Sequence, residues 1–297
     1  MQLLVLILLS FAATPMFGQD TLLGALEDVP GNSADDPNSY HVRVIFQKHG
    51  TSWQAFPSSC HDRDCLRKAP SAYPDKVDWT VGFDGRILGQ VTAQTPADFE
   101  TYSHIGLQNV IHGDHIPTVG TRSAQYGGYI DAVVYRPLIA NSKPFFKDPE
   151  LWKVSHLSPE AKRLFRRGFR QHFSRLCKSS VRDEDKLEQF VYRDEDVKLV
   201  KAYISKNQWA IARLHLQGAV DCTNLEAGSE IDDAWFVMDP QKSVRYIGEG
   251  MWLVDAGDYD NDSRSELLFS INRENRGGYE LFYDNFKRKA LFEFEYH

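Results

Sequence analysis

Apolar and polar residues alternate in short runs along most of this chain, and turn-forming residues separate the runs at fairly even intervals. Tyr40-His-Val-Arg-Val-Ile-Phe46 has the period of two that sends successive side chains to opposite faces of a strand. Two further runs, Trp79-Thr-Val-Gly-Phe83 and Ile87-Leu-Gly-Gln-Val91, flank Asp84-Gly85-Arg86, and Asp-Gly between such runs predicts a hairpin. Strands are also expected at 129–135, 209–216, 234–238, 243–247, 251–254, 267–271, 279–283 and 290–296.

The period changes between 158 and 178, where Ala161, Leu164, Phe165, Phe169, Phe173 and Leu176 fall three and four positions apart. This spacing predicts an amphipathic helix, with Ser158 as its N-cap, Pro159 in the first turn and Glu160 at the positive end of the dipole. Its other face carries Lys162, Arg163, Arg166, Arg167, Arg170 and Arg175, and acids from Asp183 to Asp196 follow. Local charge pairing or a solvated face accounts for that basic stripe, and a polyanion site is the sharper reading. Residues 19–39 are rich in Asp, Asn, Gly, Pro and Ser and read as a flexible leader. The whole pattern predicts a mainly β fold, a small or irregular propeller or else a sandwich, with one helical insertion. The helix divides a β-rich part at 40–157 from another at 179–297.

Composition adds a compartment. After Met1-Gln2 the chain runs without charge from Leu3 to Ala13, followed by Thr-Pro-Met-Phe-Gly18, which reads as a signal peptide spanning 1–18. Its apolar core is about half the ~20 residues a membrane helix needs, so an exported chain, secreted or periplasmic, is expected. The formal net charge of −7 disfavours general nucleic-acid binding. Cys60, Cys65, Cys177 and Cys222 make an even set, and on an exported chain they predict two disulfides, Cys60 with Cys65 and Cys177 with Cys222. The close pair could instead begin a zinc site, but no second pair with metal-ligand spacing follows.

The most specific chemistry lies near the C-terminus, in Asp255-Ala-Gly-Asp258-Tyr-Asp260-Asn-Asp262-Ser-Arg-Ser-Glu266. Carboxylates on alternate positions of a tight loop between two apolar runs suit a hard divalent cation, which takes many oxygen ligands at short range. The stretch from Gly257 to Phe269 resembles the calcium-binding hairpin of integrin-type FG-GAP repeats, also called VCBS repeats. The resemblance implies Ca2+ held by the side chains of Asp258, Asp260, Asp262 and Glu266 and by the backbone carbonyl of Arg264. It also implies a strand on each side of the loop, the repeat being a propeller blade, and a role in binding or adhesion toward an extracellular protein or carbohydrate. One departure is Ser263 where the family has glycine, which requires a left-handed backbone at a cost of about 1 to 2 kcal/mol. A second constellation, His104 with His112-Gly-Asp114-His115, offers acid, base or transition-metal chemistry, and a secreted hydrolase using His112, Asp114 or His115 is the alternative function.

Overall fold

A computed structural model describes residues 20–29, 39–114, 137–173, 177–178, 188–189, 193–216, 234–273 and 275–296. Seven strands form the first sheet: β1 (Leu22–Val29), β2 (Ser39–His49), β3 (Ser52–Ala55), β4 (Lys76–Phe83), β5 (Arg86–Gln94), β6 (Leu107–Gly113) and β7 (Leu138–Asn141). They are ordered β1-β7-β4-β5-β6-β2-β3, and an additional antiparallel pairing of β1 with β2 closes the first six into a ring. A short helix α1 (Arg63–Lys68), N-capped by Asp62, lies between β3 and β4.

The second sheet has the order β14-β13-β12-β11-β8, made of β8 (Lys153–Val154), β11 (Val197–Ile204), β12 (Ala210–Leu216), β13 (Ala234–Met238) and β14 (Val244–Gly248). Helix α2 (Pro159–His172) and a two-stranded ribbon of β9 (Cys177–Lys178) and β10 (Glu188–Gln189) lie within that span of the chain. The third sheet is a meander of β15 (Met251–Gly257), β16 (Glu266–Arg273), β17 (Arg276–Tyr283) and β18 (Arg288–Glu295).

The period of two decides which layer each side chain joins. On β13, Ala234 and Phe236 pack against Phe165 and Phe169 of α2, whereas Trp235 and Val237 point to the third sheet. On β16 the division continues, with Leu267, Phe269 and Ile271 facing the second sheet and Leu268 facing the first. The result is a stack of helix, second sheet, third sheet and closed first sheet. Because the third sheet is covered on both faces, six successive residues of β16, Glu266 to Ile271, are buried. The fold is therefore mainly β and its face-to-face layers fit a sandwich-like arrangement. The ring closure of the first sheet is a feature that a propeller blade, an open four-stranded sheet, lacks.

The predicted hairpin is present, with Phe83 opposite Arg86 and only Asp84 and Gly85 between. Both sit at positive φ, 50° and 71°, which the tight turn demands and which Gly supplies without steric cost. Two expectations are corrected. Residues 22–29 are not a flexible leader but strand β1, paired on one edge with β2 and on the other with β7, with Leu23 and Ala25 fully buried. The polar composition of 30–39 hid a short apolar cluster, Leu22, Leu23, Ala25 and Leu26, that gains its partners only from distant strands. The helix ends at His172 rather than 178, since Phe173 leaves helical geometry at ψ 41° and Cys177–Lys178 pairs instead with Glu188–Gln189. The helix stands in the chain between β8 and β11, and its apolar face covers the second sheet.

Cys60 and Cys65 form the expected disulfide. Cys222, and with it the second expected pair, lies outside the described residues, as do the signal segment 1–18 and the strand expected at 129–135. Among the described residues no helix is long and apolar enough to cross a membrane.

Candidate metal centre

Strand β15 ends at Gly257 and β16 begins at Glu266, so the acidic loop is the turn of the first hairpin in the third sheet. Neighbouring segments fix where the loop starts. The Asp258 N–H donates to the Lys147 carbonyl at 2.7 Å, and Asn141 Nδ2 donates to the Tyr259 carbonyl at 2.9 Å. Inside the loop, Asn261 and Ser263 take left-handed backbones, φ 63° and 70°. Ser263 thus holds a left-handed backbone, which glycine would adopt without steric cost.

This geometry folds the loop around its own carboxylates. Asp258 accepts from the N–H groups of Asp262 and Ser263, both at 2.9 Å, and Asp262 accepts from the N–H of Arg264 at 2.9 Å. Oxygens of Asp258, Asp260 and Asp262 lie within 4.8 Å of one another, and this is the only such acidic, His or Cys grouping among the described residues suited to an ion. Three carboxylate oxygens so placed could together hold a metal ion.

The other two expected ligands stand differently. Glu266 is outside the three-carboxylate group and accepts from the Tyr259 N–H at 2.7 Å. Arg264 is expected to act through its backbone carbonyl, and its side chain pairs with Asp284. Asp255, first acid of the motif, receives the N–H of Asp84 at 3.0 Å and so anchors the tip of the β4–β5 hairpin. A participant that sequence reasoning missed is Lys48 of β2, whose ammonium pairs with Asp260 while lying 5.2 Å from the Trp53 ring centroid. Nothing in the local sequence around Lys48 signals this, since the pair spans two sheets.

Burial pushes the Glu266 carboxyl well above its ordinary range, and Asp260 and Asp262 push the same way, against the Tyr259 N–H and Lys48. Burial also raises Asp258, opposed by the Ser263 and Asp262 N–H groups and reinforced by Asp260 and Asp262. A carboxyl whose folded pKa is raised holds its proton more tightly when folded. Stability therefore falls as pH climbs from the ordinary carboxylate range toward the raised folded value, and the loss is complete above it. With chelator present, the wild type is expected to lose melting temperature as pH rises above the ordinary carboxylate range, relative to Glu266→Gln, which keeps the acceptor for Tyr259. Parallel pH profiles for the two proteins would show that Glu266 is not the source of the pH-dependent loss.

Among the described residues the histidine constellation forms no metal-holding group. His112 is exposed on β6, opposite Thr92. Asp114 continues the ladder, its N–H donating to the Gln90 carbonyl at 3.0 Å and its carboxylate accepting from the Gln90 N–H at 3.1 Å. His104 lies in a 3-10 turn with Nδ1 4.0 Å from Glu100, and His115 falls outside the described residues. No family model matches this chain, and neither the curated proteins nor the solved structures contain a match to it.

Proposed function

We propose that this chain is an exported binding or adhesion protein, of the kind whose FG-GAP-like hairpins are tied by calcium, and that it recognises an extracellular protein or carbohydrate. The observation that carries the reading is the convergence of Asp258, Asp260 and Asp262 at a hairpin turn whose backbone already holds left-handed residues at Asn261 and Ser263. Calcium would be held by those three carboxylates, with the Arg264 carbonyl and Glu266 as the further ligands that the resemblance implies. It would neutralise charges that otherwise repel, and its role would be structural.

Lys48 shapes the consequence. Its ammonium supplies one compensating positive charge at Asp260, so the loop keeps partial neutrality without metal and the cation adds to an existing cross-link with β2. Extracellular calcium modules bind with dissociation constants of about 0.1 to 1 mM. In 10 mM calcium, linkage then stabilises the folded state by about 1.4 to 2.7 kcal/mol, or about 3 to 5 °C in melting temperature. Asp260→Ala is expected to lower stability in every buffer by removing the Lys48 pair, and also to abolish the difference between calcium and chelator. Scanning calorimetry of both proteins in the two buffers reads the second effect separately. A wild type indifferent to calcium, or a variant with the full calcium shift, would overturn the assignment.

A further inference from the structure

Helix α2 lies at the far end of the layer stack from the acidic loop, and its outer face carries three arginines in one row. Arg163, Arg167 and Arg170 line a cleft of about 300 Å3, with Asp194 at its rim. They stand at i, i+4 and i+7, so they share a face and span about 10 Å along the axis.

Local pairing neutralises only part of this row. Glu160, the one acid of α2, is bound to Lys242 at 2.9 and 3.0 Å. Asp194 takes Arg170 at 2.8 Å, while Glu195 and Asp196 are engaged by Arg193 of their own loop at 3.5 and 3.9 Å. Arg166 donates to the Val197 carbonyl at 3.1 Å. Arg163 and Arg167 remain exposed and have no hydrogen bond or ion pair among the described residues, Arg163 feeling only the nearby field of Glu160.

We infer that the Arg163-Arg167-Arg170 cleft binds the sulfate groups of an anionic polysaccharide. Guanidinium forks bind tetrahedral oxyanions through paired N–H donors. A row about 10 Å long exceeds one such anion and matches successive charged groups on a chain. An anionic bilayer fits less well, because insertion needs an apolar helix face and that of α2 is spent on the second sheet. Nucleic acid is disfavoured by the net charge of −7 and by the absence of an aromatic side chain among the cleft residues for base stacking. This site is independent of the calcium hairpin, and its failure would leave that reading standing.

The test uses the full oxidised chain and three probes by calorimetry or fluorescence anisotropy: a heparin oligosaccharide, inorganic sulfate, and a single-stranded oligonucleotide of matched charge. The heparin oligosaccharide is expected to bind at low salt. Arg163→Gln with Arg167→Gln should weaken it at least about tenfold and lower the slope of log affinity against log salt by about two. Arg193→Gln, removing a charge already satisfied in its own loop, should leave affinity within about twofold. Should the double variant fold poorly, Arg167→Gln alone gives the readout at an exposed position. Absent heparin binding, unchanged affinity in the variants, equal or tighter oligonucleotide binding, or inorganic sulfate binding as tightly as the oligosaccharide would each overturn the assignment.

Discussion

Phe269→Ala is expected to destabilise the protein by about 3 to 5 kcal/mol, a large fraction of the ~5 to 15 kcal/mol that keeps a domain folded. The ring is fully buried at the centre of the junction between second and third sheets. It meets Trp235 edge-on at 5.2 Å and 78°, and Phe282 at 5.5 Å and 84°. Trp235 is itself fixed by its indole N–H, which donates to the Met251 carbonyl at 2.8 Å, so the surrounding layer has little freedom to collapse into the space left behind. Two terms then add, the lost transfer energy of the ring and the cavity. Chemical denaturation of wild type and variant measures the difference, with Leu291→Ala as reference, because Leu291, on β18 of the same sheet, is 45% exposed and should change stability by no more than about 0.5 kcal/mol. A Phe269→Ala loss as small as the reference would show that the two sheets do not share this core.

Removing Glu27 should have the next largest effect, because it strands a buried guanidinium. Arg43 of β2 is only 4% exposed, and its Nε and one terminal nitrogen donate to the two Glu27 oxygens at 2.8 and 2.9 Å. The other terminal nitrogen donates to the Ile105 carbonyl at 2.6 Å, and the guanidinium lies 4.2 Å from the Phe294 ring centroid. Tyr279 of β17 adds its hydroxyl to Glu27 at 2.7 Å, so one carboxylate joins β1 and β2 to the third sheet. Breaking a buried pair from one side costs about 3 to 5 kcal/mol. The Glu27 side chain keeps 20% exposure and lets some water reach the vacated site, so about 2 to 4 kcal/mol is expected for Glu27→Ala. Replacing both partners by apolar residues, Glu27→Leu with Arg43→Met, should recover most of it, since desolvation offsets much of the attraction in such pairs. If Glu27→Ala were neutral, β1 would be no integral part of the first sheet, and residues 22–29 would revert to the leader that their composition implies.

The contrast between these sites and the acidic loop explains what could be read in advance. The Asp84-Gly85 turn, the N-cap at Ser158 and the alternation of Asp258, Asp260 and Asp262 are each set by interactions among residues a few positions apart. Ser158 accepts from the Ala161 N–H at 3.2 Å, as its position before Pro159 implies. The close pair Cys60 and Cys65 is equally local, and it is bonded. By contrast Lys48 and Asp260, or Glu27 and Tyr279, lie on segments that meet only after the sheets stack. The helix end was misplaced for a related reason: the apolar spacing continues to Leu176, while pairing between residues 177–178 and 188–189 takes the backbone elsewhere.

By itself the sequence determined many of the strand segments, the start of α2, the carboxylate spacing of the β15–β16 loop and the basic row on α2, because periodicity and near-neighbour hydrogen bonds act along the chain. Tertiary structure alone decided that β1 closes the first sheet, that Glu266 serves the Tyr259 N–H, that Lys48 stands at Asp260, and that Arg163 and Arg167 are left without acid partners among the described residues. Those outcomes depend on which distant faces exclude water together, and burial of that kind leaves no mark on local spacing.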